Sequence, residues 1–100
     1  MGSNTDHLVS EKIEQLGTRV RKYRKSIGLS QEMLAKVSHV SRYAVISLES
    51  GQGSGLSLEN FFSILRGLGR FDAVDDLVPD VTPEFISDLL KTWSRKTENS

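Results

Sequence analysis

The chain has 100 residues, 13 Lys/Arg against 13 Asp/Glu, and no cysteine. That length suits a single domain with one modest core, and the missing cysteine excludes a disulfide framework, a thiolate metal site and a thiol nucleophile. Neither His7 nor His39 lies in a metal-ligand spacing, and no apolar run approaches the roughly 18 residues of a membrane span.

The start of the sequence has no apolar signal region, so the cytoplasm is the expected compartment. The charges are unevenly spread. Residues 11–50 carry eight Lys/Arg and four acids, a balance of +4, whereas residues 51–100 carry five bases and eight acids, a balance of −3. Such asymmetry suits a basic contact half and an acidic half with another task, or simply a solvated surface.

Residues 1–10 are polar and aperiodic and predict a flexible N-terminal arm. Ile13, Leu16, Val20, Tyr23 and Ile27 then recur every three or four residues, the mark of an amphipathic helix, and Gly28 ends it. Ser30 supplies an N-cap for a short second helix over 31–37, with Met33, Leu34 and Val37 as its apolar positions. Residues 38–40 form a three-residue turn. Ser41 caps a third helix that carries Val45 and Leu48 inward and stops before Gly51. Residues 51–55, with three glycines, predict a flexible loop.

Ser57 caps a fourth helix with Leu58, Phe61, Phe62, Ile64, Leu65 and Leu68 on its face. Residues 71–77 read as a short fifth helix closed by Pro79. Thr82, Pro83 and Glu84 form a strong helix start, and the sixth helix carries Phe85, Ile86, Leu89, Leu90 and Trp93. No strand alternation and no internal repeat occur. The expected organisation is an arm (1–10), a domain (11–78) and a C-terminal helix with tail (79–100).

Two short helices about a three-residue turn suit many all-α folds, so side-chain placement carries the specific signal. Ala35 sits where the second and third helices must cross closely. Val40 and Val45 fill the inner angle of the turn. Arg42, Tyr43, Ile46 and Ser47 are left on the outer face of the third helix, free to enter a major groove.

Here the chain resembles the Cro/CI-type (Xre-like) helix-turn-helix repressors with a lambda-repressor-like fold. The resemblance rests on Leu16, Gly17, Arg21, Arg24, Gly28 to Gln31, Leu34, Ala35, Val40, Ser41, Val45, Leu48, Glu49 and Gly51, and covers about residues 13–70. It implies an all-α, five-helix DNA-binding domain with an additional C-terminal helix, and a dimeric repressor of a palindromic operator. It implies roles for individual residues too. Gln31 contacts phosphate or braces the first base contact, and Ser30 with its helix start meets phosphate. Ser41 begins the recognition helix. Arg42 and Tyr43 approach base edges, Ile46 touches a thymine methyl, and Ser47 is the next base-facing position. The loop after Gly51 departs from the family in lacking its common Pro and any basic residue, so phosphate contacts there fall to Ser50, Ser54 or backbone amides. Arg24 and Glu49 match a semi-buried ion pair that ties the first helix to the third.

The chain departs from the family pattern at His39, which stands where a turn glycine is common; it is an exposed turn histidine or an added contact near DNA. Arg19, Arg21, Lys22 and Lys25 either solvate the first helix or flank the DNA backbone. Residues 69–79 and the segment after them resemble HipB-like antitoxins, which repress their own operon and hold a HipA-like kinase toxin. Those antitoxins often dimerise through a C-terminal strand, whereas residues 83–93 here read as helix. That helix either packs back on its own core or supplies a dimer surface through Phe85, Ile86, Leu89, Leu90 and Trp93.

The alternative function is a protein-interaction module that keeps the fold and has lost DNA binding, to which the low polarity of the third helix and the zero net charge lend some weight. No nucleophile–base–acid set and no phosphate-cradling glycine loop can be placed, so no enzymatic activity, metal or cofactor is expected. The expected partners are double-stranded DNA and a second copy of the chain, with no membrane association.

Overall fold

In the computed structural model, residues 3–98 are described, with side chains described over 7–94. Five α-helices, α1 (Ser3–Ser26), α2 (Gln31–Ser38), α3 (Arg42–Glu49), α4 (Leu58–Gly67) and α5 (Pro83–Glu98), and two 3-10 helices, Gly53–Gly55 and Phe71–Asp76, account for the ordered elements. No strand occurs among the described residues.

The helix starts follow from hydroxyls. Ser30 accepts the Met33 amide at 3.0 Å, Ser41 the Ala44 amide at 3.1 Å, Ser57 the Asn60 amide at 3.0 Å, and Thr82 the Phe85 amide at 3.0 Å. Each satisfies one of the orphan donors of a first helical turn. Gly28 and Gly51, with φ of 80° and 84°, follow α1 and α3 in the left-handed region.

The core gathers Val20 from α1, Leu34 and Ala35 from α2, Val45 and Leu48 from α3, and Ile64 and Leu68 from α4 and its C-cap. Leu16, Leu29, Val40, Leu56 and Phe61 close it from the edges. Close helix approach requires two glycines. A Cβ on Gly17 would collide with the Leu48 carbonyl oxygen, which fixes how near α1 lies to α3. A Cβ on Gly67 would collide with Ser38 Oγ, which does the same for α4 against α2. Ser38 is fully buried there, and its hydroxyl has no hydrogen-bond partner among the described residues.

One expectation is corrected and two are refined. Residues 3–10 do not form a flexible arm; they are the first turns of α1. Val9, Ile13, Leu16 and Val20 form one continuous stripe, and His7 pairs with Glu11 one turn on at 3.1 Å, so the helical period runs through the expected boundary. Residues 1–2 lie outside the described residues. The loop after Gly51 contains a 3-10 turn, closed by the Leu56 amide on the Gly53 carbonyl at 2.9 Å. The short helix over 71–77 is a 3-10 helix, Phe71–Asp76, because so brief a segment closes on three-residue bonds such as Ala73 to Arg70 and Leu77 to Val74.

The helix α5 does not pack back on the core. Over residues 83–94 only Phe85 is half-buried, and the rest are exposed. The radius of gyration, 16.9 Å, exceeds the roughly 13 Å of a compact 100-residue domain.

Candidate nucleic-acid interface

The α3 helix has two faces set by its sequence. Ala44, Val45, Leu48 and Glu49 are buried. Arg42, Tyr43, Ile46 and Ser50 are exposed, Tyr43 by 74 %, and Ser47 is half-buried at the edge. The outward positions 42, 43, 46, 47 and 50 fall on one side at helical spacing, so the face is a single ridge of guanidinium, phenol, isoleucine and hydroxyls.

What holds that ridge in place is one carboxylate. Glu49 Oε2 accepts from Arg24 Nε, and Oε1 accepts from Arg24 Nη2 at 3.0 Å and from Gln31 Nε2 at 3.1 Å. Arg24 Nη1 donates to the Leu29 carbonyl at 2.7 Å. Arg24 is 6 % exposed and Glu49 8 %. One ion pair thus joins α1, the turn before α2, α2 itself and α3. The hydrogen bond to Glu49 raises the Arg24 pKa, burial pulls the other way, and the charge of the same carboxylate adds to the rise. The arginine stays charged below its ordinary value and loses this contribution only as pH rises through the raised one.

Gln31, given either a phosphate or a bracing role in the sequence reading, has its amide nitrogen on Glu49. Ser30 and Ser41 are exposed at the starts of α2 and α3. Each hydroxyl oxygen accepts a backbone amide, which leaves its own hydrogen available for an outside acceptor. His39 takes the left-handed conformation, φ 57° and ψ 40°, as C-cap of α2, with its amide on the Ala35 and Lys36 carbonyls; its side chain is exposed.

Sequence reasoning missed part of the site. A trough beside α3 is lined by Tyr43 and Ser47 together with Gln52, Ser57 and Asn60. The sequence marks Ser57 as a helix cap, but that Gln52, Ser57 and Asn60 share one trough with Tyr43 and Ser47 is set by the fold. No group of three or more His, Asp or Glu among the described residues is placed to hold a metal ion, and no helix is long and apolar enough to cross a membrane. The residues assigned to pairing, Phe85, Ile86, Leu89, Leu90 and Trp93, all lie on α5, away from this trough in sequence, with Phe85 half-buried and the others exposed.

Comparison with known proteins follows the same lines. Residues 20–72 match the helix-turn-helix family HTH_3. An uncharacterized HTH-type transcriptional regulator of Methanothermobacter thermautotrophicus is 41 % identical over 63 residues, which is 63 % of this chain and 90 % of that protein. The crystal structure of the restriction-modification controller protein C.AhdI from Aeromonas hydrophila superposes with a TM-score of 0.54 at 36 % identity, covering 59 % of this chain and 88 % of that one.

Proposed function

Because the chain belongs to the helix-turn-helix family HTH_3 and is a DNA-binding transcriptional regulator, we propose that it acts as a dimeric repressor that sets α3 in the major groove of a palindromic operator. The observation that carries this reading is the divided surface of α3. Arg42, Tyr43 and Ile46 stand free, while Val45, Leu48 and Glu49 are locked beneath them. A groove-reading helix needs that combination, because contacts to base edges demand a side chain held at fixed height and angle. Arg42 is the one Lys or Arg between Lys36 and Arg66. It is therefore the residue suited to bridge guanine O6 and N7.

In this reading Ser30, Ser41, Ser47 and Ser50 supply neutral contacts to phosphate and base edges, and α5 pairs two copies so that two recognition helices meet two half-sites. The protein works in the cytoplasm and has no enzymatic activity of its own. An antitoxin role beside a HipA-like kinase draws its support from the resemblance over 69–79 alone, and among the described residues Pro83–Glu98 is helix where such antitoxins often pair through a strand.

Selection of bound sequences from a random duplex pool tests the reading directly. The expected product is an inverted repeat with half-sites about one helical turn, ~34 Å, apart. Arg42→Ala is expected to cost about 1–3 kcal/mol and to relax preference at one base pair of each half-site. A pool with no enriched motif, together with no salt-sensitive complex, points instead to the interaction module.

A further inference from the structure

The sequence leaves Arg19, Arg21, Lys22 and Lys25 of α1 as solvating bases or as flanks to DNA, and the packing of α1 on α3 separates them. Position 17 points at the backbone of α3: a Cβ there would collide with the Leu48 carbonyl oxygen and lie 3.3 Å from the Glu49 carbonyl carbon. Arg24 reaches the Glu49 carboxylate. Positions 17 and 24 therefore mark the line along which α1 meets the last turn of α3. At 3.6 residues per turn, successive side chains are rotated by about 100°. Measured from that line, Val20 falls about 50° to one side and Arg21 about 50° to the other. Val20 is buried in the core with Val45 and Leu48, so its side is that of the buried face of α3. Arg21 is on the opposite side, that of the exposed ridge, beside the turn that Ser50 caps. Lys25 lies farther round, at about 90°. Arg19 and Lys22 are each about 150° from the line, on the back of α1. There they line a surface hollow with Glu11, Glu14 and Thr18.

We infer that Arg21 binds a DNA phosphate at the rim of the groove that α3 enters, while Arg19 and Lys22 only solvate α1. The inference rests on the reading of α3 as the groove helix and adds a backbone anchor to it. Eight residues make α3 about 12 Å long, and the major groove is about 12 Å wide. With its first residues at the base edges, its last turn comes out at the phosphate rim. Arg21 is exposed there, and neither ion pair recorded among the described residues includes it. The acid on the same edge of α1, Glu14, is seven residues away, about 10 Å along the helix. A guanidinium so placed is open to a phosphate oxygen, and such a contact releases a counterion without reading sequence. Arg42 and Arg21 thus divide the work, the first on base edges and the second on the backbone.

The test compares three charge removals of equal size on one helix. Arg21→Ala, Arg19→Ala and Lys22→Ala proteins are titrated, by fluorescence anisotropy over a salt series, onto a labelled duplex recovered from the random pool and onto a scrambled one. For Arg21→Ala the slope of log K against log salt is expected to become shallower by about 0.9 for each bound protomer, and affinity at about 0.15 M salt to fall about fivefold per protomer. The loss should be the same on both duplexes, unlike that of Arg42→Ala. Arg19→Ala and Lys22→Ala should leave the slope within about 0.3 of wild type, and Arg21→Lys should keep both slope and affinity, because an ammonium also binds phosphate. All variants are checked for wild-type urea midpoints, and Arg21→Lys serves if Arg21→Ala unfolds. Equal losses in all three alanine variants mean a general charge effect and overturn the inference. So does an unchanged slope in Arg21→Ala, or a loss in folded Arg21→Lys as large as that in the alanine variant, while the wild type still binds. A wild-type chain that forms no salt-sensitive complex with either duplex removes the groove reading itself.

Discussion

Replacing Glu49 by Ala tests how α3 is held. The substitution removes both oxygens that receive Arg24 and Gln31, and it leaves a guanidinium 6 % exposed with the Leu29 carbonyl as its remaining partner. An uncompensated buried charge of this kind costs about 3–5 kcal/mol. A 100-residue domain has only about 5–15 kcal/mol in total. With a urea m-value of about 1–1.5 kcal/mol/M, the midpoint should fall by about 2 M or more, read by far-UV circular dichroism. The companion variant Arg24→Met with Glu49→Leu removes both charges and fills their volume. It should lie within about 1 kcal/mol of the wild type or above it, because two desolvation penalties vanish together. The coupling between the two positions is then of the order of the single-variant loss. If Glu49→Ala costs less than about 1 kcal/mol, or the double change costs the sum of the single ones, the pair does not hold the helix as argued.

Three smaller changes probe the packing. Ser38→Ala removes a buried hydroxyl that has no partner among the described residues, so it should stabilise by about 1 kcal/mol and raise Tm by about 4–8 °C; a clear loss of stability means the hydroxyl has a role. His39→Gly relieves a left-handed histidine at φ 57° and should gain about 0.5–1 kcal/mol in urea unfolding, after allowance for the entropy of glycine. Gly17→Ala drives a methyl at the Leu48 backbone and should cost about 3 kcal/mol, with a matching drop in urea midpoint; tolerance at that position would show that α1 and α3 are free to separate.

Much of the fold is legible because its signals are local. Ser30, Ser41, Ser57 and Thr82 each precede an apolar period, and Gly28 and Gly51 follow one, so helix limits are written within a few residues of where they fall. The outward face of α3 is equally local, since it is the complement of Val45 and Leu48 on an eight-residue helix. Other features depend on distant parts. The first turns of α1 contain only Leu8 and Val9 as large apolar residues before Ile13, too few for a period to show. The segment Phe71–Asp76 carries apolar residues at helical spacing, and its brevity, not its pattern, decides for 3-10 geometry. Ser38 reads as part of a polar turn, yet it is fully buried because Gly67 leaves room for it. Gln52 and Asn60 line one trough with Tyr43 and Ser47, a neighbourhood that no sequence spacing records. For α5, a sequence stripe names an apolar face without naming what covers it.

The hydroxyl caps bear on how such a protein changes its target. Ser41 fixes where α3 begins, using only its own oxygen and an amide three residues on, and Gly51 fixes where the chain leaves it. Neither depends on what stands at 42, 43, 46 or 47. If α3 reads DNA as proposed, a lineage can therefore trade those four side chains for others and acquire a new target, while the frame that presents them keeps its length, pitch and attachment.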